Sequence, residues 1–199
     1  MFKASLFAVL FFIVGLSISF AAENDDEPIY SVGYSPTYFA NLIIDDPDGP
    51  TKKTTYFSLT SLSMLLRVSR TERLLTQLVY YDFKLDASST DIGQRIDGYS
   101  FTGIYQKKFR LTRRFKPWFG IGMSANYYEI TSRHTVDADG YLLTSHPNRK
   151  TDSLSYIINA GYTHEMSDAW DIDFNVNYVS PFDKGLEYIS ATGTLIYNF

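Results

Sequence analysis

Three histidines are the side chains of this sequence with the clearest capacity for acid–base or metal chemistry near neutral pH. His134 and His146 lie in a long polar segment that also holds serine and aspartate residues, and His164 follows Thr163. A catalytic triad is defined by geometry that joins a nucleophile, a histidine and a carboxylate, and no spacing here supplies it. No ligand spacing supports a zinc site, and no acidic turn contains a complete calcium loop. We therefore predict no catalytic residue, no metal site and no cofactor.

A second set of side chains is charged or amide-bearing and alternates with apolar residues along several segments. This set consists of Arg67, Asp82, Lys84, Lys108, Arg110, Asp171, Asp173 and Asn175. Alternation with a period of two places one set of side chains on each face of a β-strand. If the polar face points into a narrow barrel, charges of both signs have to pair, because an isolated buried charge is costly. The pattern favours a hydrogen-bonded plug that fills the lumen, and a charged pore lining is the alternative.

Eight segments with this alternation run through the chain and must position these side chains. Their approximate bounds are 29–44, 54–67, 74–85, 99–111, 118–130, 154–164, 170–179 and 186–199. Long connections follow the first, third, fifth and seventh segments, and short ones follow the second, fourth and sixth. This asymmetry predicts an all-β fold, an eight-stranded antiparallel up-and-down transmembrane barrel with both termini on the side of the short turns.

Two local signals qualify this pattern. Pro36 cannot donate a hydrogen bond to a neighbouring strand, so we expect a local break in the first segment. The apolar residues of this segment, from Tyr30 to Ile44, are predicted to share one face. The fifth connection, 131–152, contains Asp137-Ala138-Asp139-Gly140, which is a turn signal. It predicts that the flanking strands continue as a projecting hairpin.

The two faces of the predicted strands differ in size as well as polarity. An eight-stranded barrel has an interior just wide enough for side chains, so the smaller polar residues are predicted inside and the large apolar residues outside, against lipid. This arrangement predicts two aromatic girdles, formed by Trp118, Trp170, Tyr81, Phe83, Tyr99, Phe101 and Tyr178. A soluble secreted barrel of the lipocalin type, with the two faces reversed, is the alternative.

The N-terminal segment has the pattern of a secretory signal peptide. One basic residue, Lys3, precedes an uncharged apolar run that ends at Ala21-Ala22, before an acidic stretch. We predict a signal peptide at 1–22, removed by cleavage after Ala21 or Ala22, a short acidic periplasmic lead at 23–28, and one barrel domain at 29–199. An uncleaved membrane anchor is the alternative. Loss of Lys3 changes the formal net charge from −4 to −5, and no basic patch suggests a nucleic-acid partner.

The C-terminal segment alternates up to the last residue. Leu195, Tyr197 and Phe199 share one face, and the chain stops on an aromatic ring. With the signal peptide, the strand count and the asymmetry of the connections, this ending resembles the small eight-stranded bacterial outer-membrane β-barrel proteins, the class that includes the OmpA transmembrane domain and OmpX. The predicted projecting hairpin is similar to that of OmpX.

The resemblance implies a location, partners and a role. It implies a protein of the bacterial outer membrane that contacts membrane lipids and lipopolysaccharide. Its C-terminal strand would bind the barrel-assembly machinery, and its extracellular loops would be available to an external ligand. A structural or surface-interaction role is favoured, and a narrow ion or solute channel and a lipid A-modifying enzyme are the alternatives. The fold alone does not choose among these roles. Basic residues cluster at the predicted periplasmic turns: Arg70, Arg73, Arg113, Arg114 and Lys116. We expect these residues either to contact lipid phosphates or to be solvated.

Overall fold

The computed structural model describes residues 30–44, 52–58, 61–112, 115–183 and 186–199. The predicted signal peptide and acidic lead lie outside these ranges. The described residues form ten β-strands: β1 (Tyr30–Ile44), β2 (Lys52–Ser58), β3 (Ser61–Ser69), β4 (Glu72–Leu85), β5 (Gly93–Lys108), β6 (Trp118–Val136), β7 (Leu142–Ser145), β8 (Arg149–Glu165), β9 (Trp170–Pro181) and β10 (Glu187–Asn198). A helix that is long and apolar enough to cross a membrane does not occur in these ranges.

The strands form one antiparallel sheet in which neighbours in sequence are neighbours in space. The order is β10-β9-β8-β6-β5-β4-β3-β1-β2, with β7 paired to β6 and a further pairing between β10 and β1. The first and last strands are therefore hydrogen-bonded to each other. The single strand predicted at 54–67 corresponds to β2 and β3, which pair with successive parts of β1. The prediction of an all-β antiparallel fold is confirmed.

The break predicted at Pro36 changes which side chains of β1 are buried. The register between β1 and β10 shifts by one residue between Tyr34 and Thr37, as in a β-bulge. Before the shift Val32 and Tyr34 are about half exposed, at 49% and 48%, whereas after it Ala40 and Leu42 are fully buried. The prediction that the apolar residues of this strand share one face was therefore wrong, because the bulge moves later residues to the opposite face.

A second irregularity lies near the end of β6. Ser132 has a φ of 54°, in the left-handed region, and the register between β5 and β6 shifts between Gly93 and Arg95. The extra residue turns the Arg133 side chain inward, where it is 2% exposed. Its guanidinium donates to the carbonyl oxygen of Pro147 at 2.9 Å, which ties the base of the following hairpin to the sheet.

The predicted hairpin is formed by the end of β6 and by β7. His134 pairs with Ser145, and Val136 pairs with Leu142. Asp137 organises the turn, since its carboxylate accepts hydrogen bonds from the backbone N–H groups of Asp139 and Tyr141 at 3.0 and 2.8 Å. Because β7 pairs with β6 beyond the last β6–β8 partners, the hairpin extends past the main sheet.

Candidate functional site

The candidate site is the inner face of the sheet, defined as the face whose side chains are buried. Near one end of this face lies Arg73, the second residue of β4, which is only 2% exposed. Its Nη2 donates to both carboxylate oxygens of Asp173 at 2.9 and 3.0 Å. Its Nε donates to Gln106 at 2.6 Å, and its Nη1 donates to Thr163 at 3.0 Å. The guanidinium is thus held by three strands besides its own.

Trp118 packs beneath this guanidinium. The Arg73 Cζ atom lies 4.1 Å from the centre of the Trp118 ring, and the Lys108 Nζ lies 4.6 Å from it. The indole N–H donates to Thr163 at 3.0 Å, and the side chain is 4% exposed. The prediction that Trp118 belongs to an outer girdle was wrong, because it shares the inner face with Gly120, two residues further along the strand.

Amide side chains extend the network across β5, β8 and β9. Gln106 donates to Asn159 at 2.5 Å and to Asn175 at 3.1 Å. Asn159 in turn donates to Asn175 and Asn177 at 3.1 and 2.7 Å. Asn175 donates to Asp173 at 2.5 Å. The predicted inner-face residues Asp173 and Asn175 lie within this chain of hydrogen bonds, and the carboxylate has donors other than the arginine.

A second ion pair lies toward the ends of β3 and β9. Arg67 approaches Asp171 at 3.3 Å, and Asn198 donates to the same carboxylate at 3.0 Å. Ser31 donates to Asn198 at 2.7 Å, which links β1 to β10 on the inner face. Arg67 and Asp171, both predicted for this face, are brought together here.

The inner face also buries many apolar side chains. It contains a cluster of buried side chains: Ala40, Leu42, Leu65, Leu75, Val79, Tyr81, Phe83, Leu85, Ile96, Ile104, Tyr128, Ile157, Val179, Leu186, Tyr188 and Ile196. The hydroxyl groups of Tyr81 and Tyr188 lie 3.0 Å apart within it. Polar and apolar side chains are interleaved in this interior, since on β4 buried Leu75 lies between buried Arg73 and buried Gln77.

Four of the predictions for side chains of β4 were wrong. Tyr81 and Phe83, predicted for a girdle, are 1% and 9% exposed on the inner face. Asp82 and Lys84, predicted for the lumen, are exposed on the outer face, where Asp82 accepts a hydrogen bond from Arg95 at 2.9 Å. The pattern inverts because this end of the strand lies beyond the apolar outer band, where a water-facing surface is polar and the interior is apolar, as in soluble proteins.

Arg110 is a further correction to the predicted lumen residues. β5 ends at Lys108, so the alternation no longer applies at Arg110, which is exposed in the following turn. Arg73 was missed because it was assigned to a turn. It lies two residues before Leu75 on the same face of β4, and this spacing was the signal that could have found it.

The outer face is an apolar band. On β6 it runs from Phe119 through Ile121, Met123 and Ala125 to Tyr127, about 27 Å along the strand at ~3.4 Å per residue. Ile121 is 71% exposed and Met123 is 51% exposed. The remaining predicted girdle residues, Trp170, Tyr99, Phe101 and Tyr178, lie on this face, Trp170 at 42% and Tyr99 at 47% exposure. So large an apolar surface is suited to lipid.

A charged rim begins beyond this band. Lys150 donates to Glu129, which also accepts a hydrogen bond from Tyr127 at 3.1 Å. The bond from Lys150, and then that from Tyr127, hold the pKa of Glu129 below its ordinary value. The outer face therefore changes from apolar to ionic within two residues of Tyr127.

Comparison with known proteins bears on the fold. No protein-family model matches the chain, and no curated protein matches its sequence. Among solved structures, Neisserial surface protein A matches with a TM-score of 0.57 at 14% identity, over 88% of this chain and 100% of its own. The outer-membrane protein OprG from Pseudomonas aeruginosa matches at 0.54 and 10% identity, over 87% and 97%. This chain has the fold of the small bacterial outer-membrane β-barrel proteins.

Ail, the attachment invasion locus protein of Yersinia pestis, shares this barrel fold, with a TM-score of 0.52 at 13% identity over 85% of this chain and 97% of its own. The resemblance predicted from the sequence is confirmed at the level of the fold. Identities this low extend to the fold alone, so the role of the chain has to be argued from its own side chains.

The histidines lie apart from the inner network. His134 is on the projecting hairpin, where its Nδ1 lies 2.7 Å from the carbonyl oxygen of Ser132. His164 is exposed on the outer side of β8. In the part of the chain that the structure describes, no three histidine, aspartate, glutamate or cysteine side chains are grouped as a metal site.

Proposed function

We propose that the chain is an eight-stranded outer-membrane barrel with a closed lumen, which anchors a hairpin that makes contacts at the cell surface. β2 and β3 count as one strand of this barrel because both pair with β1 in a single register. β7 belongs only to the hairpin. The short turns, the start of β1 and the end of β10 then face the periplasm. The β6–β7 hairpin faces the exterior, as in other small barrels of this kind.

The filled inner face carries the proposal. The network around Arg73 and Asp173 fills part of the interior, and the cluster of buried apolar side chains, which includes Tyr81, fills another part. An ion crossing this interior would have to displace a buried ion pair and pass tightly packed apolar side chains, both of which are costly. A lumen packed in this way supports an anchor rather than a channel.

The hairpin supplies the surface for contact. Tyr141, Leu142 and Leu143 are 72%, 65% and 56% exposed. They lie beyond the charged rim, where the surroundings are aqueous, and an apolar group exposed to water is typical of an interaction site. The proposed role is therefore attachment to an external surface with apolar character.

The closed lumen predicts the electrical behaviour of the protein. Wild-type protein reconstituted in planar bilayers should show no discrete conductance steps.

Heated and unheated samples of the outer-membrane fraction should migrate differently on a gel, since a barrel without a free edge resists unfolding in detergent. Conductance steps that change with Asp173→Asn would overturn the closed lumen, and a soluble periplasmic protein without a heat-dependent shift would overturn the membrane location.

The hairpin predicts a loss of attachment that leaves the barrel intact. Cells that display a variant with Tyr141→Ser, Leu142→Ser and Leu143→Ser should bind hydrophobic beads several-fold less than cells with the wild type. A control with Ser89→Ala and Thr90→Ala, exposed in another outer connection, should bind normally at equal surface abundance. Unchanged binding by the serine variant would exclude the hairpin as the contact surface.

A further inference from the structure

The outer face of β6, β8, β9, β10 and β1 carries a groove within the apolar band. One row of paired residues crosses these strands in the order Phe119, Ala160, Val176, Ala191 and Phe39. The three central residues are small or short, and a phenylalanine stands at each end. Side chains of these sizes form a depression between two aromatic walls.

The depression is a cavity of about 650 Å³ with an apolar lining. Phe174 and Gly193, which pair with each other in the next row, also line it. A Cβ atom at Gly193 would lie 3.8 Å from the Phe174 ring, an ordinary contact distance. Glycine is therefore not required there by the backbone or by crowding, and its effect is to deepen the groove.

The turn at one end of the groove is strongly basic. Residues 109–117 contain four basic side chains and no acidic one. Two residues of this turn, Phe115 and Pro117, line the groove, and Lys116 between them is exposed. The Phe115 ring stacks on Tyr162 with 5.4 Å between centres, which holds the turn against the barrel.

We propose that this groove and turn form a binding site for an anionic phospholipid of the periplasmic leaflet. One acyl chain lies in the groove, and the phosphate lies against Lys116 and Arg110. The inference rests on the proposed membrane location. The match is one of shape and charge together, because the apolar cavity opens beside a turn whose charge complements a phosphate at the depth where lipid headgroups lie.

Lipid retention tests the site in the intact protein. Protein extracted from membranes in mild detergent should retain one phosphatidylglycerol in native mass spectrometry. Filling the groove with Ala191→Leu and Gly193→Leu should lower this retention at least fivefold. Ala125→Leu, on the outer face away from the groove, is the matched control and should retain lipid like the wild type.

The headgroup is tested separately. The double substitution Arg110→Glu and Lys116→Glu should weaken phosphatidylglycerol retention. Lys84→Glu, at the end of β4 that lies away from the basic turn, should not weaken it. Retention of diacylglycerol or a free fatty acid as strong as that of phosphatidylglycerol would overturn the headgroup assignment. Unchanged retention in the filled-groove variant, or a dimer that only this variant loses, would overturn the lipid site. Because all variants are first checked for the heat-dependent gel shift, failure of the lipid site is distinguished from failure of the membrane location.

Discussion

Replacing Arg73 with alanine should destabilise the folded barrel by about 3–5 kcal/mol, the cost typical of breaking a buried ion pair. Arg73 and Asp173 have side-chain exposures of 3% and 1%, and alanine leaves the Asp173 carboxylate buried without its cation. Gln106 and Thr163 also lose a donor. Equilibrium unfolding in urea, with the protein in lipid vesicles, measures this loss.

The matched control is the ion pair between Arg95 and Asp82. Its side chains are 44% and 40% exposed, so Arg95→Ala should cost far less stability than Arg73→Ala. Removing both buried charges, with Arg73→Met and Asp173→Leu, should recover part of the stability lost in the single variant. If Arg73→Ala costs no more than Arg95→Ala, the buried network does not hold the interior together.

Gly122→Ala should strongly destabilise the sheet although it adds only one methyl group. A Cβ atom at Gly122 would lie 2.1 Å from the carbonyl oxygen of Gly103 and 2.8 Å from the Cα of Ile104. Both atoms belong to the backbone of β5, so the two strands would have to separate. Overpacking of this kind costs about 1–3 kcal/mol or more. The expected result is a lower yield of heat-modifiable barrel and a lower urea midpoint.

Gly193→Ala provides the comparison. Its Cβ atom would meet only the edge of the Phe174 ring, at 3.8 and 3.9 Å. Stability should change by no more than about 0.5 kcal/mol, as for an ordinary surface substitution. Equal losses of stability in Gly122→Ala and Gly193→Ala would show that the close approach of β5 and β6 is not the reason why glycine is needed at Gly122.

The fold was accessible from the sequence because local alternation is repeated in every segment. In β9, Asp171, Asp173 and Asn175 alternate with Trp170 and Phe174, and the structure places the two sets on opposite faces. A period of two determines the faces of a strand without knowledge of its neighbours. The strand bounds were less accurate, as at β5, which begins at Gly93 within a predicted loop.

Local alternation did not show which face of each strand points inward. In β4, Gln77 and Tyr81 share the inner face although one is polar and the other aromatic. Gln77 lies within the apolar outer band, whereas Tyr81 lies beyond it, where the neighbouring outer residues Asp82 and Lys84 are charged. The bulges near Pro36 and Ser132 also bring residues that follow them, such as Ala40 and Arg133, to the inner face.

The antiparallel β architecture, the projecting hairpin and the presence of a polar face could be predicted from the sequence, because each depends on the spacing of residues along one strand. Only the tertiary structure showed that Arg73, 100 residues from Asp173 along the chain, is its partner. It alone placed Phe39 and Phe119 at the two walls of one groove. Both depend on the register between strands, which is set by bulges and by the pairing of β1 with β10 rather than by any local pattern.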